Sequence, residues 1–415
     1  MKRTLLALLL VLALACVPVS AMAEGDKPTK LTVIGDLDSK TFLEMGVERF
    51  EAEYGIDIEL ITPAYYDAHD KIVTTVLGGG EADVVMLDSV WRADFVEAGI
   101  IISLDEYMTE EFKNSLMSCF TDALAVNGKY YTIPTAPNAL WLYYNADKLA
   151  EAGYDAPPTT WTELIEMSQT MIDKGIVKYG IAWPACQAEG TICMYTSLLN
   201  GCGGAWQDAD GNWIFNDEKG VQALDILVST IGNGIADPAS ITYDDRTDLD
   251  PLMAGDVAFV PNWAYAYALV NNPSESAVAG SIKVALLPAE DPDIVSASCL
   301  GGAGYCVTSN CKYPEWGVKF IQSLLVPEIQ DRIMESTGTM PILMSAYTSE
   351  YATENMPWLA SMEDQFNYVV ARPALSDYNG WSEEMQLCIA NALNGTKTVQ
   401  EALDEGVAIS TEMYK

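Results

Sequence analysis

The sequence predicts an α/β protein of more than one domain. The first hundred residues alternate between short apolar runs typical of strands and longer runs with helical periodicity. This alternation favours a parallel or mixed sheet with helices on both faces. Roughly 390 residues follow the apolar N-terminal segment of residues 1–23. At about 100–200 residues per domain, this length indicates two or three domains. The predicted strands are residues 31–34, 56–61 and 83–87, and the predicted helices are 40–54 and 70–77.

A second α/β region follows residue 144, and the C-terminal part is largely helical. We predict helices at 161–174 and 220–232 and strands at 179–183, within 252–260 and at 282–287. Gly211-Asn212 predicts a hairpin turn. Helices are predicted at 314–325, 327–336, 382–393 and 399–413.

Residues 127–167 hold the densest set of local signals in the chain. Asn127-Gly128 predicts a tight turn between extended runs at 130–133 and 139–144. A short helix should follow and end at Gly153. After two prolines, Thr160 should cap the next helix, with Glu163 completing a capping box.

This order of elements resembles the bacterial extracellular solute-binding proteins of the maltose-binding type. The matching segments are "GK.Y..P", "YYN.D" and "PPTTW.EL" here, then "GG…D.DGNW.FND..GVQALD" from Gly203, "LMAGDVAF" from Leu252, "LLP" at Leu286 and "RP…Y" at Arg372. The resemblance implies a two-lobed, type II periplasmic-binding-protein-like fold, in which each lobe is a mixed sheet flanked by helices and a hinge joins the lobes around a central cleft. It also implies three crossings between the lobes, near residues 139, 300 and 339. We therefore expect an N-terminal lobe of 24–139 plus 301–339 and a C-terminal lobe of 140–300 plus 340–415.

The N-terminus has the layout of a secretory signal peptide. Lys2 and Arg3 precede an apolar run at 5–17, and Ala21-Met22-Ala23 supplies small residues at a cleavage site. We expect residues 1–23 to be removed and the mature protein to work outside the cytoplasmic membrane, in the periplasm or at the cell surface. Cys16 offers an alternative, a lipidated cysteine that would anchor the chain.

Composition excludes several classes of function. The formal charge of −37 becomes −39 once Lys2 and Arg3 are removed, and such a chain repels nucleic acid and anionic lipid. Eight of the nine cysteines remain, none in a C-x-x-C pair, so we expect structural cysteines, free or bridged. His69 is the only histidine, expected in solvent at a helix start, which argues against a histidine triad or a multi-histidine metal site. We expect no metal, no cofactor and no catalytic residue.

Candidate ligand-binding residues come from strand ends and from the resemblance. Asp36 and Asp88 follow predicted strands, at the edge where α/β sheets bind ligands. Trp91, Trp183 and Trp263 also follow strands, and an indole offers a flat apolar platform for a sugar ring. Tyr265 is a further candidate among the aromatic residues, and segments that match the family add Asn138, Glu189, Gly301, Gly302 and Arg372.

These features predict the extracellular substrate-binding component of an ABC importer. It would capture a sugar or oligosaccharide in the interlobe cleft as a monomer and deliver it to the membrane permease. The sequence departs from sugar-binding relatives at Asn138, where they often have an acid, and at Ala303, where they often have tryptophan. A non-sugar solute such as a polyol or glycerol phosphate is therefore the alternative, followed by a sensor or surface-display module and by a secreted carbohydrate-active enzyme.

Overall fold

The computed structural model describes residues 27–356 and 358–415, so the predicted signal peptide and Cys16 lie outside the described residues. The strands are β1 (Lys30–Ile34), β2 (Asp57–Ile61), β3 (Val84–Asp88), β4 (Ile133–Asn138), β5 (Leu140–Asn145), β6 (Tyr179–Ile181), β7 (Val257–Trp263), β8 (Ile282–Ala285), β9 (Ser298–Cys299), β10 (Gly301–Val307) and β11 (Val369–Val370).

The α-helices are α1 (Lys40–Tyr54), α2 (Tyr65–Leu77), α3 (Arg92–Glu97), α4 (Glu110–Ser115), α5 (Ser118–Ala123), α6 (Ala146–Ala152), α7 (Trp161–Asp173), α8 (Glu189–Gly201), α9 (Glu218–Asn233), α10 (Leu249–Ala254), α11 (Ala266–Val270), α12 (Pro314–Ser323), α13 (Pro327–Thr337), α14 (Glu350–Asn355), α15 (Leu359–Glu363), α16 (Tyr378–Leu393) and α17 (Val399–Met413). Short 3₁₀ helices lie at Pro238–Thr242, Met344–Thr348 and Asp364–Tyr368. No helix in the described part of the chain combines the length and apolarity that a membrane crossing needs.

Two mixed sheets form the framework of the two lobes. The first has the strand order β2-β1-β3-β10-β4, with β1 parallel to β2 and β3, and β10 antiparallel to β3 and β4. The second has the order β6-β7-β5-β8, with β5 antiparallel to β7 and β8. The mixed α/β architecture predicted from the alternating pattern is therefore confirmed.

The chain passes directly between strands of different sheets at two places. Only Ala139 separates β4 of the first sheet from β5 of the second. Likewise, only Leu300 separates β10 from β9, which pairs in parallel with β11 in a small third sheet. Ser298 fastens this small sheet to the second lobe, since its Oγ accepts the N–H of Leu140 at 2.7 Å and donates to the Leu140 carbonyl at 2.9 Å.

Local signals set several element boundaries as predicted. Helix α1 has the predicted bounds and ends at Gly55, which adopts φ 61°. The capping box at α7 is present, because Thr160 Oγ1 accepts the Glu163 N–H and the Glu163 carboxylate accepts the Thr160 N–H. Helix α2 begins at Tyr65, five residues before the predicted start.

The predicted boundaries fail where burial removes the periodic signal. Helix α8 was not predicted, and ten of its thirteen residues are buried, so no polar face marks it in the sequence. Residues 301–304 begin β10, a strand inside the first sheet that was not predicted. The predicted strand at 130–133 is shifted to Ile133–Asn138.

Candidate ligand site where the two sheets meet

The pairing register gathers several predicted site residues at one edge of the first sheet. Gly301 pairs with Asn138, and Ala303 pairs with Asp88, so the carboxyl ends of β3 and β4 lie beside the start of β10. Asp36 follows the parallel strand β1 at the same edge. The expectation that Asp36 and Asp88 share an edge follows from parallel pairing and is confirmed by the register.

The second sheet meets this edge through Trp263. Leu140 pairs with Trp263 at the end of β7, one residue beyond the crossing at Ala139. A Cβ atom at Gly301 would lie 2.6 Å from the Trp263 ring, so the missing side chain makes room for the indole. Asn138 Oδ1 accepts the Ala264 N–H at 3.3 Å, which adds a hydrogen bond between the two lobes.

A buried ion pair lies at the centre of this region. Arg372 is 6% exposed, and its Nη1 donates to Glu189 Oε1 at 2.5 Å. Tyr378 donates its hydroxyl to the same oxygen at 2.6 Å, and Ser382 donates to Glu189 Oε2. The Arg372 guanidinium also lies 5.6 Å from the centre of the Tyr378 ring. Glu189 thus binds three donors from the segment that follows β11.

The arginine connects this cluster with the end of β3 in the first sheet. Arg372 Nη2 donates to Ser89 Oγ and to the Leu300 carbonyl, each at 3.3 Å. Ser89 in turn donates to Asp88 Oδ1 at 3.2 Å, and Tyr65 donates to Asp88 Oδ2 at 2.9 Å. A continuous polar chain therefore runs from Tyr65 on the first lobe to the α8 helix of the second.

Trp263 is held by a second polar cluster. Its indole N–H donates to Asp245 Oδ2 at 2.8 Å, and its backbone N–H donates to Asn262 Oδ1 at 2.7 Å. Tyr265 donates its hydroxyl to the Asp245 carbonyl. Burial raises the pKa of the Asp245 carboxyl, and the bond from the Trp263 indole opposes that shift. Trp263 is 8% exposed, and both its indole N–H and its backbone N–H are hydrogen-bonded.

Asp248 lies beneath this cluster, fully buried. Its Oδ1 accepts from Asn262 Nδ2 at 2.7 Å, while Oδ2 has no hydrogen-bond partner. Burial raises the pKa of this carboxyl well above its ordinary value, and the charge of Asp245 raises it further. Both effects favour the protonated form of Asp248 in the folded protein.

The Asp36 side chain is hydrogen-bonded within its own turn. Its Oδ1 accepts the Ser39 N–H at 2.6 Å at the start of α1. Burial raises the pKa of the Asp36 carboxyl against the effect of the Ser39 bonds, and the nearby Asp88 charge contributes in the same direction. Two carboxyls of the first lobe thus lie close enough to influence each other.

The three tryptophans that were predicted to pack against a sugar ring lie in different environments. Trp91 lies beside the site but is 4% exposed, stacked on Tyr65 at 5.9 Å with His69 against it at 5.3 Å. Trp183 is fully buried in the second lobe, packed on Trp161 at 5.4 Å. Trp263 is the one of the three that lies against the meeting point of the sheets.

Two sequence-based expectations need correction. Trp183 was expected to line the cleft, but its indole N–H donates to Thr230 Oγ1 at 3.1 Å inside the core, so both its polar atom and its ring are occupied. His69 was expected in solvent, but its side chain is only 20% exposed and its Nε2 lies 2.8 Å from Asp94 Oδ2. The reason is that α2 begins earlier than predicted, which places His69 on the face of the helix that meets α3.

Several residues of the site were missed by sequence reasoning. They are Tyr65, Ser89, Asp245, Tyr378 and Ser382. Tyr378 is the final letter of the "RP…Y" motif, so that signal was present. Asp245 stands in an acidic run without a distinguishing pattern. Only the hydrogen bond from the Trp263 indole in the folded chain places it in the site.

The site is rich in acceptors and aromatic rings, while its central cation is already paired. In the described part of the chain, no group of three or more His, Cys, Asp or Glu side chains is arranged to hold a metal ion. Carboxylates, hydroxyls and an arginine fork are groups that bind several hydroxyls at once. Because Glu189 neutralises Arg372, an incoming anion would face a net negative site.

A separate crevice lies away from these residues. It has a volume of about 410 Å³ and is bordered by Met117 and Cys119 on one side and by Glu363, Phe366 and Asn367 on the other. None of the residues predicted to bind ligand borders it.

Comparisons with known proteins bear on the family and the fold. A family model described as bacterial extracellular solute-binding protein matches residues 35–331. The chain belongs to this family. It is 29% identical over 361 residues to a protein of Deinococcus radiodurans named as a probable ABC transporter-binding protein, with 84% of each chain covered. The family consists of extracellular solute-binding proteins, so the resemblance seen in the sequence is confirmed.

Solved structures confirm the two-lobed fold. The maltose-bound MalE3 of T. maritima superposes with a TM-score of 0.80 at 27% identity, covering 93% of this chain and 100% of that one. A solute-binding protein of Agrobacterium radiobacter K84, solved with ribitol, gives a TM-score of 0.81 at 21% identity, with 94% and 100% covered. The second likeness shows the fold alone.

Proposed function

We propose that this member of the family captures a neutral polyhydroxylated ligand, a sugar or oligosaccharide, between its two lobes and delivers it to an ABC permease. The observation that carries the proposal is the polar chain from Tyr65 through Asp88, Ser89 and Arg372 to Glu189, which joins both lobes beside the Trp263 ring. Hydroxyl groups can donate to its carboxylates and accept from its tyrosine and arginine donors. The maltose-bound relative supports the same ligand class.

The electrostatics favour a neutral ligand over glycerol phosphate. Arg372 is bonded to Glu189, and Asp88 and Asp245 add acidic groups nearby. A phosphate would need an uncommitted cation or an open helix N-terminus. The N-terminal residue of α8 is Glu189 itself, whose carboxylate repels an anion at that position.

The binding groups on the first lobe are Asp36, Asp88, Trp91, Asn138, Gly301 and Gly302, and those on the second are Glu189, Trp263, Tyr265 and Arg372. We add Tyr65, Asp245 and Tyr378, and omit Trp183. Direct contact with the ligand falls mainly to Tyr65, Asp245, Trp263 and Tyr265, while Asp36, Trp91 and Asn138 hold the surrounding backbone and rings in place.

The lobes are 24–139 plus 301–339 and 140–300 plus 340–415, and the hinge runs through Ala139 and Leu300. At both points one residue separates strands of different sheets, so a few dihedral changes there would rotate one sheet relative to the other. A ligand that contacts both lobes would favour the closed arrangement. The protein acts as a monomer that binds and releases its ligand without chemical change.

The decisive experiment is a binding screen on the mature protein. A ligand that binds only the native state raises the melting temperature, so mono-, di- and oligosaccharides, polyols and glycerol phosphate are compared by thermal shift. We expect a shift with a sugar, then a dissociation constant by calorimetry. A shift with glycerol phosphate but no sugar would contradict the neutral-ligand proposal.

Trp263→Ala tests the site within that screen. It should weaken sugar binding at least about tenfold, since a tenfold change corresponds to about 1.4 kcal/mol and an aromatic platform supplies that much. Trp316→Ala is the matched control, because Trp316 packs on Tyr54 in the first lobe at 5.5 Å. Equal affinity in both variants would remove Trp263 from the site.

Two further measurements separate the remaining alternatives. Recovery of the bound sugar unchanged after prolonged incubation distinguishes a binding protein from a carbohydrate-active enzyme, which would convert it. The mass of the N-terminal peptide from the exported protein distinguishes cleavage after Ala23, which we propose, from a diacylglycerol-modified Cys16.

A further inference from the structure

Two cysteines from distant parts of the second lobe lie side by side behind the ligand site. Cys193 is on α8 and Cys299 is on β9, with exposures of 2% and 0%. One hydroxyl joins their backbones, since Ser197 Oγ donates to the Cys193 carbonyl at 3.1 Å and accepts the Cys299 N–H at 2.8 Å. The two thiols are also close enough for each to shift the pKa of the other.

This spacing suits a covalent bond between the two sulfurs. The shared Ser197 hydroxyl keeps the Cys193 carbonyl oxygen and the Cys299 backbone nitrogen within about 6 Å of each other, so the two residues are neighbours, as a disulfide requires. The mutual effect of the two thiols on their pKa values places the two side chains near each other. Both cysteines are free thiols in the structure.

The pair is connected to the ion pair of the ligand site. Glu189 lies one helical turn before Cys193, and Cys193 Sγ is 3.9 Å from Glu189 Oε1. Leu300, the neighbour of Cys299, accepts a hydrogen bond from Arg372 at 3.3 Å. A change in how α8 sits on β9 would therefore move Glu189 relative to Arg372.

The surroundings also make one thiol the better nucleophile. Burial by itself would raise the pKa of Cys299, but the hydrogen bond with Cys193 and the Arg372 charge outweigh it and leave that pKa lowered. The same thiol–thiol bond, together with burial, raises the pKa of Cys193. The lowered pKa favours the thiolate form of Cys299, which is the nucleophile in disulfide exchange.

We propose that Cys193 and Cys299 form a reversible disulfide that fixes α8 to the hinge strand β9 and thereby tunes ligand affinity. The effect on affinity rests on the proposed function, whereas the bond itself does not.

The oxidant is a second disulfide, of the kind present in an oxidising compartment. The Cys299 thiolate attacks one of its sulfurs and expels a thiolate; Cys193 then loses its proton to water and displaces the second thiolate from the mixed disulfide. Two cysteines lose two electrons in total, and the oxidant becomes two thiols.

The test maps the bond directly. Mature protein is reduced, freed of reductant and equilibrated with oxidised and reduced glutathione at several ratios. Free thiols are alkylated in denaturant, and the peptides are analysed by mass spectrometry without reduction. We expect one dominant crosslink, Cys193 to Cys299, that reductant reverses. Its absence at every ratio, or a mixture of other pairings, would overturn the proposal.

Variants and stability provide the controls. Cys299→Ser should abolish the crosslink, whereas Cys388→Ser, at a buried cysteine on α16, should leave it intact. Oxidation should raise the melting temperature by about 5 °C in the wild type and in Cys388→Ser, because the bond closes a long loop. It should leave the melting temperature of Cys299→Ser unchanged, and an equal rise there would contradict the assignment.

The effect on affinity is tested with the sugar that gives the largest thermal shift. Its dissociation constant is measured by calorimetry on the oxidised and on the reduced protein. We expect at least a threefold difference. Equal affinities would overturn the link to the site while leaving the crosslink result unaffected. If no sugar binds either form, the proposed function fails, and the mapping experiment still decides whether the bond forms.

Discussion

Glu189 and Arg372 form an ion pair at 2.5 Å in which the arginine side chain is only 5% exposed. They are far apart in sequence, one at the start of α8 and the other just after β11. The remaining Glu189 oxygen accepts from Ser382 on α16. The pair therefore holds together three elements of the second lobe at the side that faces the first.

Glu189→Gln should destabilise the protein by roughly 2–4 kcal/mol, because it leaves a buried guanidinium without its counter-charge. Urea denaturation of the mature protein measures the loss. Glu405→Gln is the control, since the Lys397–Glu405 pair is 30% and 41% exposed and such surface pairs contribute about 0–1 kcal/mol. Similar losses in the two variants would mean that burial adds nothing to the Glu189 interaction.

The single histidine should give the protein a measurable pH dependence. Hydrogen bonding to Asp94 raises the pKa of His69 above its ordinary 6.5, with Asp70 adding to the effect and burial opposing it. Because the folded pKa is the higher one, this contribution to stability is complete below the unfolded pKa of 6.5 and disappears as the pH rises through the folded pKa.

Untagged protein tests this expectation cleanly, because the chain has one histidine. Its imidazole resonance, followed by NMR, should titrate above the ordinary value, and Asp94→Asn should shift the titration back down. His69→Gln should flatten the loss of stability above pH 6.5 in urea denaturation. A wild-type titration at or below the ordinary value would contradict the assigned ion pair.

Local patterns predicted elements in both lobes where the end signals are clear. Helix α1 and helix α17 have the predicted bounds, because each combines a periodic apolar face with clear end signals. Helix α8 carried no such pattern, since it is buried on nearly all sides. Its role could be learned only from the tertiary contacts that bury it.

The same limit applies to the site. Asp36 and Asp88 could be placed at one sheet edge because parallel pairing requires it. The network joining Glu189, Ser382 and Ser89 could not be derived from spacing, because its members come from elements that meet only in the folded chain. Trp183 shows the converse error: a tryptophan after a strand looked like a cleft residue, but Thr230 satisfies its N–H inside the core.

Gly302→Ala should strongly destabilise the first lobe. Gly302 has φ 102°, and an added Cβ would lie 2.1 Å from the Ala136 carbonyl oxygen. Both the backbone conformation and the neighbouring strand oppose a side chain there, so we expect a loss above about 3 kcal/mol. Gly211→Ala separates the two effects, because Gly211 has φ 82° with nothing within 4 Å of the added Cβ. It should cost only about 1 kcal/mol in urea denaturation, and an equal cost at both positions would exclude the steric contribution.

Asp248→Asn should reduce the loss of stability between pH 4 and pH 7. Burial raises the pKa of this acid in the folded protein, and the Asp245 charge adds to the effect, whereas the unfolded chain ionises it near its ordinary pKa of 3.8. A folded pKa above the unfolded one means that stability falls as the pH rises from the unfolded value towards the folded value. Asparagine cannot ionise in either state, and its Oδ1 can still accept from Asn262.

Urea denaturation of the wild type and Asp248→Asn at pH 4 and pH 7 gives the difference in stability loss directly. Asp256→Asn, at an exposed position whose charge is not among those that raise the Asp248 pKa, should retain the wild-type pH dependence. If Asp248→Asn and the wild type lose the same stability over this range, Asp248 is ionised in the fold and its unpartnered oxygen carries a charge.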